Sequence, residues 1–214
     1  MVVNREGMKC LMSLNKQEAV GGKGGYAFDS GCNISGLRKV HIHAGPYAHG
    51  TVKYHALINR VFFEFDTPFH QNSEQEPCIH VFGGVEMYAK NTTYSVFLVP
   101  ENDPIARIDV WSDNLVTGLQ FTMASGAVSQ VYGSISPTKS SKSSFEPKDD
   151  SLWQLVGIHG SCGTVVDSLG FTFGRVSEVV NKDDEIGSRD FKFERVATVL
   201  SGEVVNKDDE ENCQ

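Results

Sequence analysis

Two segments far apart in the sequence carry the residues that could bind a polar ligand. Residues 21–25 are GGKGG, and residues 163–167 are GTVVD. Glycine lets a backbone approach a ligand closely, and a loop leaves backbone N–H groups available as donors. The carboxylate of Asp167 is an acceptor beside those donors, so the second segment suits neighbouring hydroxyl groups that both donate and accept. Each segment alone is also explained as an ordinary turn.

The glycine-rich turn does not satisfy the requirements of a phosphate-binding loop. Such a loop needs GxxxxGK followed by Ser or Thr at the start of a helix. Here Gly24 follows Lys23, and no helical pattern follows. A turn, or a loop that approaches a ligand through its backbone, remains as the interpretation.

Two further clusters could in principle do chemistry. His41 and His43 lie two apart on a predicted strand and face one side, so with His49 or His55 they could bind a metal. No acidic partner is fixed nearby, and alternation in a strand produces such histidine pairs freely.

A thiol nucleophile is the second of these options. His159 and Cys162 are three apart, but the sequence offers no third group to orient the histidine, and GxSxG is absent. We therefore predict no catalytic residues, no metal and no cofactor.

Composition excludes several classes of protein. The 214 residues carry a formal net charge of −8, which argues against a nucleic-acid surface, although the acidity is concentrated after residue 175. The five cysteines form no CxxC pair, and their odd number favours reduced thiols. The charged N-terminus does not resemble a signal peptide, and no stretch is apolar enough to span a membrane. We expect a cytoplasmic protein, with non-classical secretion left open.

In the segments that must position these residues, apolar and polar residues alternate with period two. Such runs occur in RVFFEFD, and again around Val96, Ile108, Leu119 and Phe171, each bounded by turn residues. No helical-length window keeps an apolar stripe. Many short strands without helices predict antiparallel sheets packed as a sandwich, barrel or prism.

Two regions interrupt this pattern. Residues 136–150, SPTKSSKSSFEPKDD, are polar and predict an exposed, mobile loop. The tail contains EVVNKDDE twice, with FKFERVATVL at residues 191–200 as one more predicted strand between the copies. The last residues, NKDDEENCQ, predict disorder.

The order of the motifs resembles the jacalin-related lectins. GGKGGYAFDSG is followed by SGLRKVHI, INRVFFEFD, VTGLQFTMASG and LVGIHGSCGTVVDSLGFTF, whose glycine, apolar and Asp spacings are similar to the family's closing element. The resemblance implies an all-β fold, a β-prism I of three four-stranded antiparallel sheets. It also implies an N-terminal extension at 1–18, a jacalin-type domain at 19–174, and an extra strand with an acidic, partly disordered tail at 175–214.

The resemblance further implies a carbohydrate site. In the family pattern, Gly25 and the GxxxD motif correspond to the sugar-binding segments. Gly163 would belong to the carbohydrate-binding set as the first residue of that motif. Backbone N–H groups of Gly25, Thr164 and Val165 would donate, and Asp167 would accept from two hydroxyls, O4 and O6 of a hexose by analogy. Gly83 and Gly84 are similar to the middle loop that shapes specificity. The chain is continuous through residues 20–25, which favours a mannose or glucose type.

Three functions follow from these observations. The first is a non-enzymatic lectin that binds mono- or oligosaccharides or glycoproteins, with homo-oligomers left open. The second is a protein-interaction module that keeps the prism without the sugar site, since positions 164–166 lack an aromatic residue that could stack on a sugar. The third is a jacalin-like head related to pore-forming proteins.

Overall fold

The computed structural model describes residues 8–49, 51–66, 78–83, 91–136, 140–147 and 153–179. The chain separates into two units, Met1–Val180 and Asn181–Gln214, and every described residue belongs to the first. The strand predicted at residues 191–200, the acidic tail and Gly84 lie outside the described residues, so the relation to pore-forming proteins stays a prediction. No helix in the described ranges is long and apolar enough to cross a membrane.

The described residues form thirteen strands and no helix. In chain order they are β1 Met8–Lys16, β2 Val20–Gly21, β3 Tyr26–Asp29, β4 Leu37–His49, β5 Val52–Phe65, β6 Cys78–Gly83, β7 Thr93–Leu98, β8 Ile105–Ser112, β9 Val116–Met123, β10 Tyr132–Gly133, β11 Ser141–Phe145, β12 Trp153–Cys162 and β13 Val166–Val179.

These strands pair into three antiparallel sheets. The first has the order β1-β13-β12-β3, with the short β2 also on β13; the second is β6-β5-β4-β7 and the third β10-β9-β8-β11. The predicted all-β class, with three antiparallel sheets of four strands each, is confirmed, and β2 is an addition to the first sheet.

One core lies between the three sheets. Val61, Phe63 and Phe65, one half of the alternation in RVFFEFD, are completely buried. The ring of Phe171 in the first sheet lies 6.5 Å from that of Phe63 in the second and 5.0 Å from that of Phe145 in the third. The alternation that predicted strands therefore also supplies the apolar faces that the sheets bury against one another.

The prediction of a continuous loop over residues 136–150 was wrong in its centre. Ser141–Phe145 forms β11, an edge strand that pairs antiparallel with β8. Phe145 is buried in the shared core, and the Ser144 hydroxyl donates to Asp109 Oδ1 at 2.6 Å. Most of this edge strand is exposed to water, so serines and a lysine are compatible with it. These polar residues obscure the alternation of apolar and polar residues by which the other strands were predicted.

The boundaries of the jacalin-type domain stay a prediction, but two strands bear on them. β1 lies within the predicted N-terminal extension, and eight of its residues pair with β13, from Met8 opposite Val179 to Lys16 opposite Thr172. The first sheet thus takes its edge strand from residues before 19 and extends β13 beyond 174.

Candidate functional site

The glycine-rich turn joins β2 to β3 at one end of the first sheet. Gly21 and Gly25 have φ values of +124° and +69°, a backbone region that side-chain-bearing residues rarely adopt. The Gly22 N–H donates to the Asp167 carbonyl at 2.9 Å. This hydrogen bond attaches the turn directly to the closing segment, although the two are far apart in sequence.

The Asp167 carboxylate lies against Gly24 and Gly25. A Cβ built on Gly25 would lie 2.6 Å from Asp167 Oδ2 and would also overlap the Cys162 carbonyl, while one on Gly24 would overlap Asp167 Oδ1. Only glycine fits so closely between a carboxylate and a neighbouring strand. The structure therefore brings together Gly25 and Asp167, the two ends of the predicted site.

The closing loop is held by its own backbone. The Gly163 N–H donates to the Val165 carbonyl at 3.0 Å, and Thr164 is exposed at the tip. The side chain of Val165 is 3% exposed and packs with Leu57 and Leu115. Val165 can therefore offer a ligand only its backbone, and its role as a donor stays a prediction.

Loops from the other two sheets support the same end of the molecule. Leu115 belongs to the β8–β9 turn, and its N–H donates to Asp113 Oδ1 at 3.0 Å. Tyr54, on the β4–β5 hairpin, donates its hydroxyl to the same oxygen at 3.4 Å and packs against the cluster that includes Val165. The sequence interpretation missed this support, because nothing local in a turn such as SDNL shows that it lies beneath a loop fifty residues later.

Tyr26 is a second neighbour that the sequence interpretation missed. It follows Gly25 directly, pairs with Cys162 across the strands, and is 84% exposed. An aromatic residue next to the glycine pair is the available signal. Its pairing with Cys162 places Tyr26 next to the start of the closing loop, whose positions 164–166 lack an aromatic residue.

Gly83 lies elsewhere in the fold. It ends β6 with φ +106°, and the atoms nearest to a Cβ built on it belong to Asn59 and Arg60 of the second sheet. Its role in specificity stays a prediction, and Gly84 is outside the described residues.

The rejected alternatives are also located. His41 and His43 share the outer face of the second sheet, where His41 contacts Glu64 and Tyr94. No cluster suited to a metal occurs among the residues that the structure describes.

The residues of the thiol-nucleophile alternative have different surroundings. His159 lines a shallow cleft with Lys16 and Asp29, whereas Cys162 packs against the core. Burial and the nearby Lys16 charge lower the pKa of His159.

The family model described as "Jacalin-like lectin domain" matches residues 17–172. The chain belongs to this family. The jacalin-like domain is similar to Myrosinase-binding protein 2 of Arabidopsis thaliana, at 31% identity over 166 residues that cover 74% of this chain and 22% of that protein. It is also similar to Jacalin-related lectin 32 of the same plant, at 30% identity over 165 residues, 74% of this chain and 47% of that one. The chain thus spans less than half of the length of these relatives.

Solved structures show the same fold for the jacalin-like domain. A mannose-specific jacalin-related lectin from Morus nigra, in complex with mannose, matches with a TM-score of 0.54 and 17% identity over 82% of this chain and 99% of that one. An artocarpin–mannotriose complex matches with a TM-score of 0.56 and 14% identity, over 76% of this chain and 98% of that one. The predicted β-prism is therefore confirmed.

Proposed function

We propose that this jacalin-like domain binds carbohydrate of the mannose or glucose type and catalyses no reaction on it. The observation that carries this proposal is the contact of the Asp167 carboxylate with the Gly24–Gly25 backbone, beside the exposed tip of the closing loop. Family membership and lectin neighbours support carbohydrate binding in general.

The chemistry of the site suits adjacent hydroxyl groups. A carboxylate accepts two hydroxyl protons, and such charge-assisted hydrogen bonds are stronger than neutral ones. Backbone N–H groups of Gly25, Thr164 and Val165 donate to the oxygens of the same hydroxyls. Because the donors belong to backbone that glycines and a buried valine hold in place, little conformational entropy is lost on binding.

Two observations favour mannose or glucose over other sugars. The turn from Val20 to Gly25 is continuous in the sequence, which by the family resemblance favours a mannose or glucose type. Neighbours of the same fold were solved with mannose and mannotriose.

Tyr26 adds an apolar contact to this proposal. Its ring is 84% exposed and directly follows Gly25, so it can lie against the C–H face of a bound ring. We assign to Tyr26 the stacking contact that positions 164–166 do not provide.

The test is a glycan array followed by titration of methyl α-mannoside. Wild-type chain should bind mannose- or glucose-terminated glycans, with a monosaccharide Kd on the order of millimolar, because a shallow polar site is weak without multivalency. Asp167→Ala should abolish binding, and Tyr26→Ala should weaken it by several-fold. Wild-type binding that survives Asp167→Ala would refute the proposed site.

A protein-interaction role is the second candidate. It is favoured by relatives whose names are Myrosinase-binding protein 2 and PYK10-binding protein 2. Under this role no saccharide raises the melting temperature of the chain, whereas a sugar-binding site is stabilised by its ligand through mass action.

A further inference from the structure

The outer face of the second sheet, opposite the core, has apolar margins. Ile79 and Val81 on β6, and Tyr94, Val96 and Leu98 on β7, are between 41% and 65% exposed. Outward side chains of an antiparallel sheet are normally polar, and exposed apolar residues that form a patch mark interaction sites. These five residues are close to half of the large exposed hydrophobic side chains of the described chain.

The strand register brings both margins into one surface. Val81 is opposite Phe62, Phe62 is opposite His41, and His41 is opposite Val96, so one row crosses all four strands. Ile79 and Leu98 occupy the ends of the next row in the same way. We call this surface, between the β6 and β7 margins, the outer face.

The carboxylate at the centre of the outer face is already occupied. Glu64 is 6% exposed, and its two oxygens lie 2.8 Å from Lys39 Nζ and 3.1 Å from His41 Nε2. Burial raises the pKa of Glu64, but the hydrogen bonds from Lys39 and His41 outweigh burial and keep that pKa below its ordinary value. Glu64 therefore links two side chains of β4 to β5 and is not accessible to a partner.

Arg60 is the exception to this internal pairing. Its guanidinium carbon lies 4.5 Å from the centroid of the Phe62 ring, a cation–π contact that fixes the side chain along the face. Arg60 Nε is buried and has no hydrogen-bond partner within the described ranges. The buried Nε is out of reach of a partner, but Arg60 as a whole is only half-buried, so the exposed part of this preoriented guanidinium is suited to a carboxylate from outside.

We propose that the outer face docks an acidic, aliphatic segment of a protein partner, with a carboxylate on Arg60 and aliphatic side chains over the β6 and β7 margins. Arginine and aromatic side chains, here Arg60, Phe62 and Tyr94, are the types enriched at the centres of protein interfaces. The inference locates a surface for the second candidate function and does not depend on the carbohydrate site.

A second copy of the same face is a poor match for Arg60. Within the rows, the acidic side chain is Glu64, which is buried and paired. Asp66, just beyond them, is paired with Arg38 at 3.1 Å. Two facing copies would therefore bring their arginines together without an available carboxylate. A partner with acidic groups would supply that carboxylate and would not repel Arg60.

The dimensions favour a short or transient contact. Four strands about 4.8 Å apart, with three outward residues per strand about 6.7 Å apart, span roughly 14 by 13 Å between Cα atoms. With side chains this is on the order of 400 Å², about half of what one partner buries in a standard interface. A peptide segment of the partner is sufficient to cover it.

The test uses a random-peptide display library, selected on wild-type chain and counter-selected on the Leu98→Asp variant. Enriched peptides should combine Asp or Glu with Leu, Ile or Val. In fluorescence polarisation they should bind at least about tenfold more weakly to Arg60→Gln and Leu98→Asp, and more weakly at high salt because the charge pair is screened. Val128→Asp is the matched control, since Val128 is 56% exposed outside this face.

Each other result would overturn the proposal. These results are no enriched peptide, peptides without acidic residues, or binding that Arg60→Gln leaves unchanged. Sedimentation velocity of the chain alone tests whether a second copy occupies the face instead. A dimer that is lost in Leu98→Asp would show that it does. Asp167→Ala should bind the peptides normally, so failure of the carbohydrate site and failure of this face are separate results.

Discussion

At the scale of single residues, the candidate site depends on glycine, which has no side chain to fill the space beside Asp167. Gly25 and Gly31 have almost the same positive φ, +69° and +68°. A Cβ on Gly25 would overlap the Cys162 carbonyl and crowd Asp167, whereas a Cβ on Gly31 would meet nothing within 4 Å. The two glycines therefore separate backbone strain from steric exclusion at the site.

Alanine at each position tests this difference. Both substitutions should lower the free energy of unfolding by about 1–2 kcal/mol, because alanine is strained at positive φ. Only Gly25→Ala should lose further stability and abolish sugar binding, since it displaces the Asp167 carboxylate. Urea unfolding and methyl α-mannoside titration measure the two effects. Equal binding by both variants would mean that the turn is not part of the site.

At the scale of the element, β11 is held to the third sheet by polar contacts on β8. Asp109 is 1% exposed, accepts from Ser144 Oγ at 2.6 Å and lies 2.9 Å from Lys142 Nζ. Burial raises the pKa of Asp109, but the bonds from Ser144 and Lys142 and the charge of Arg107 outweigh burial and lower it below the ordinary 3.8. A strand of SKSSF thus pairs where its hydrophobicity alone would not predict it.

This anchor predicts an acid-dependent loss of stability. Asp109→Asn should cost about 2 kcal/mol at neutral pH, the scale of hydrogen bonds to a charged group. Since the folded pKa lies below the ordinary value, the contribution of Asp109 is complete above that value and is lost as pH falls through the folded pKa. The difference between wild type and Asp109→Asn in urea unfolding should therefore shrink below about pH 4. A difference that is constant with pH would exclude an ionised Asp109 as the anchor.

At the scale of the whole molecule, three sheets share one core. Phe171 contacts aromatic rings of both other sheets. Trp111 lies in the third sheet and Trp153 in the first, so the two tryptophans report on different sheets. A common core predicts that these sheets unfold together.

Single-tryptophan variants, Trp111→Phe and Trp153→Phe, test this cooperativity. Urea unfolding followed by fluorescence should give coincident transitions, whichever tryptophan remains. Phe171→Leu should shift both by about 1–2 kcal/mol, because the lost ring volume leaves a cavity between the sheets. Val128→Ala, at an exposed position, should shift neither. Separate midpoints would show that the sheets are independently stable.

Period-two alternation was sufficient to predict the all-β class and most of the strands, although it did not predict β1 or β11. The two segments of the candidate site followed from the order of the motifs, because each segment alone is also explained as an ordinary turn. Alternation is a local property, so it does not specify which half of a strand faces the core. On β7 the apolar set Tyr94, Val96 and Leu98 faces out, while Phe97 stacks on Phe121 at 4.8 Å. That orientation depends on the twist and packing of neighbouring sheets, which no single strand encodes.

The sequence by itself therefore determined most of the strands and the glycine turns, because both follow from conformational preferences of adjacent residues. Long-range pairing brought Gly25 to Asp167, placed the β8–β9 turn beneath Val165, and made SKSSF a strand. It also left the β6 and β7 margins of the outer face apolar, with Arg60 between them. These features required the tertiary structure, because each depends on contacts between residues that are distant along the chain.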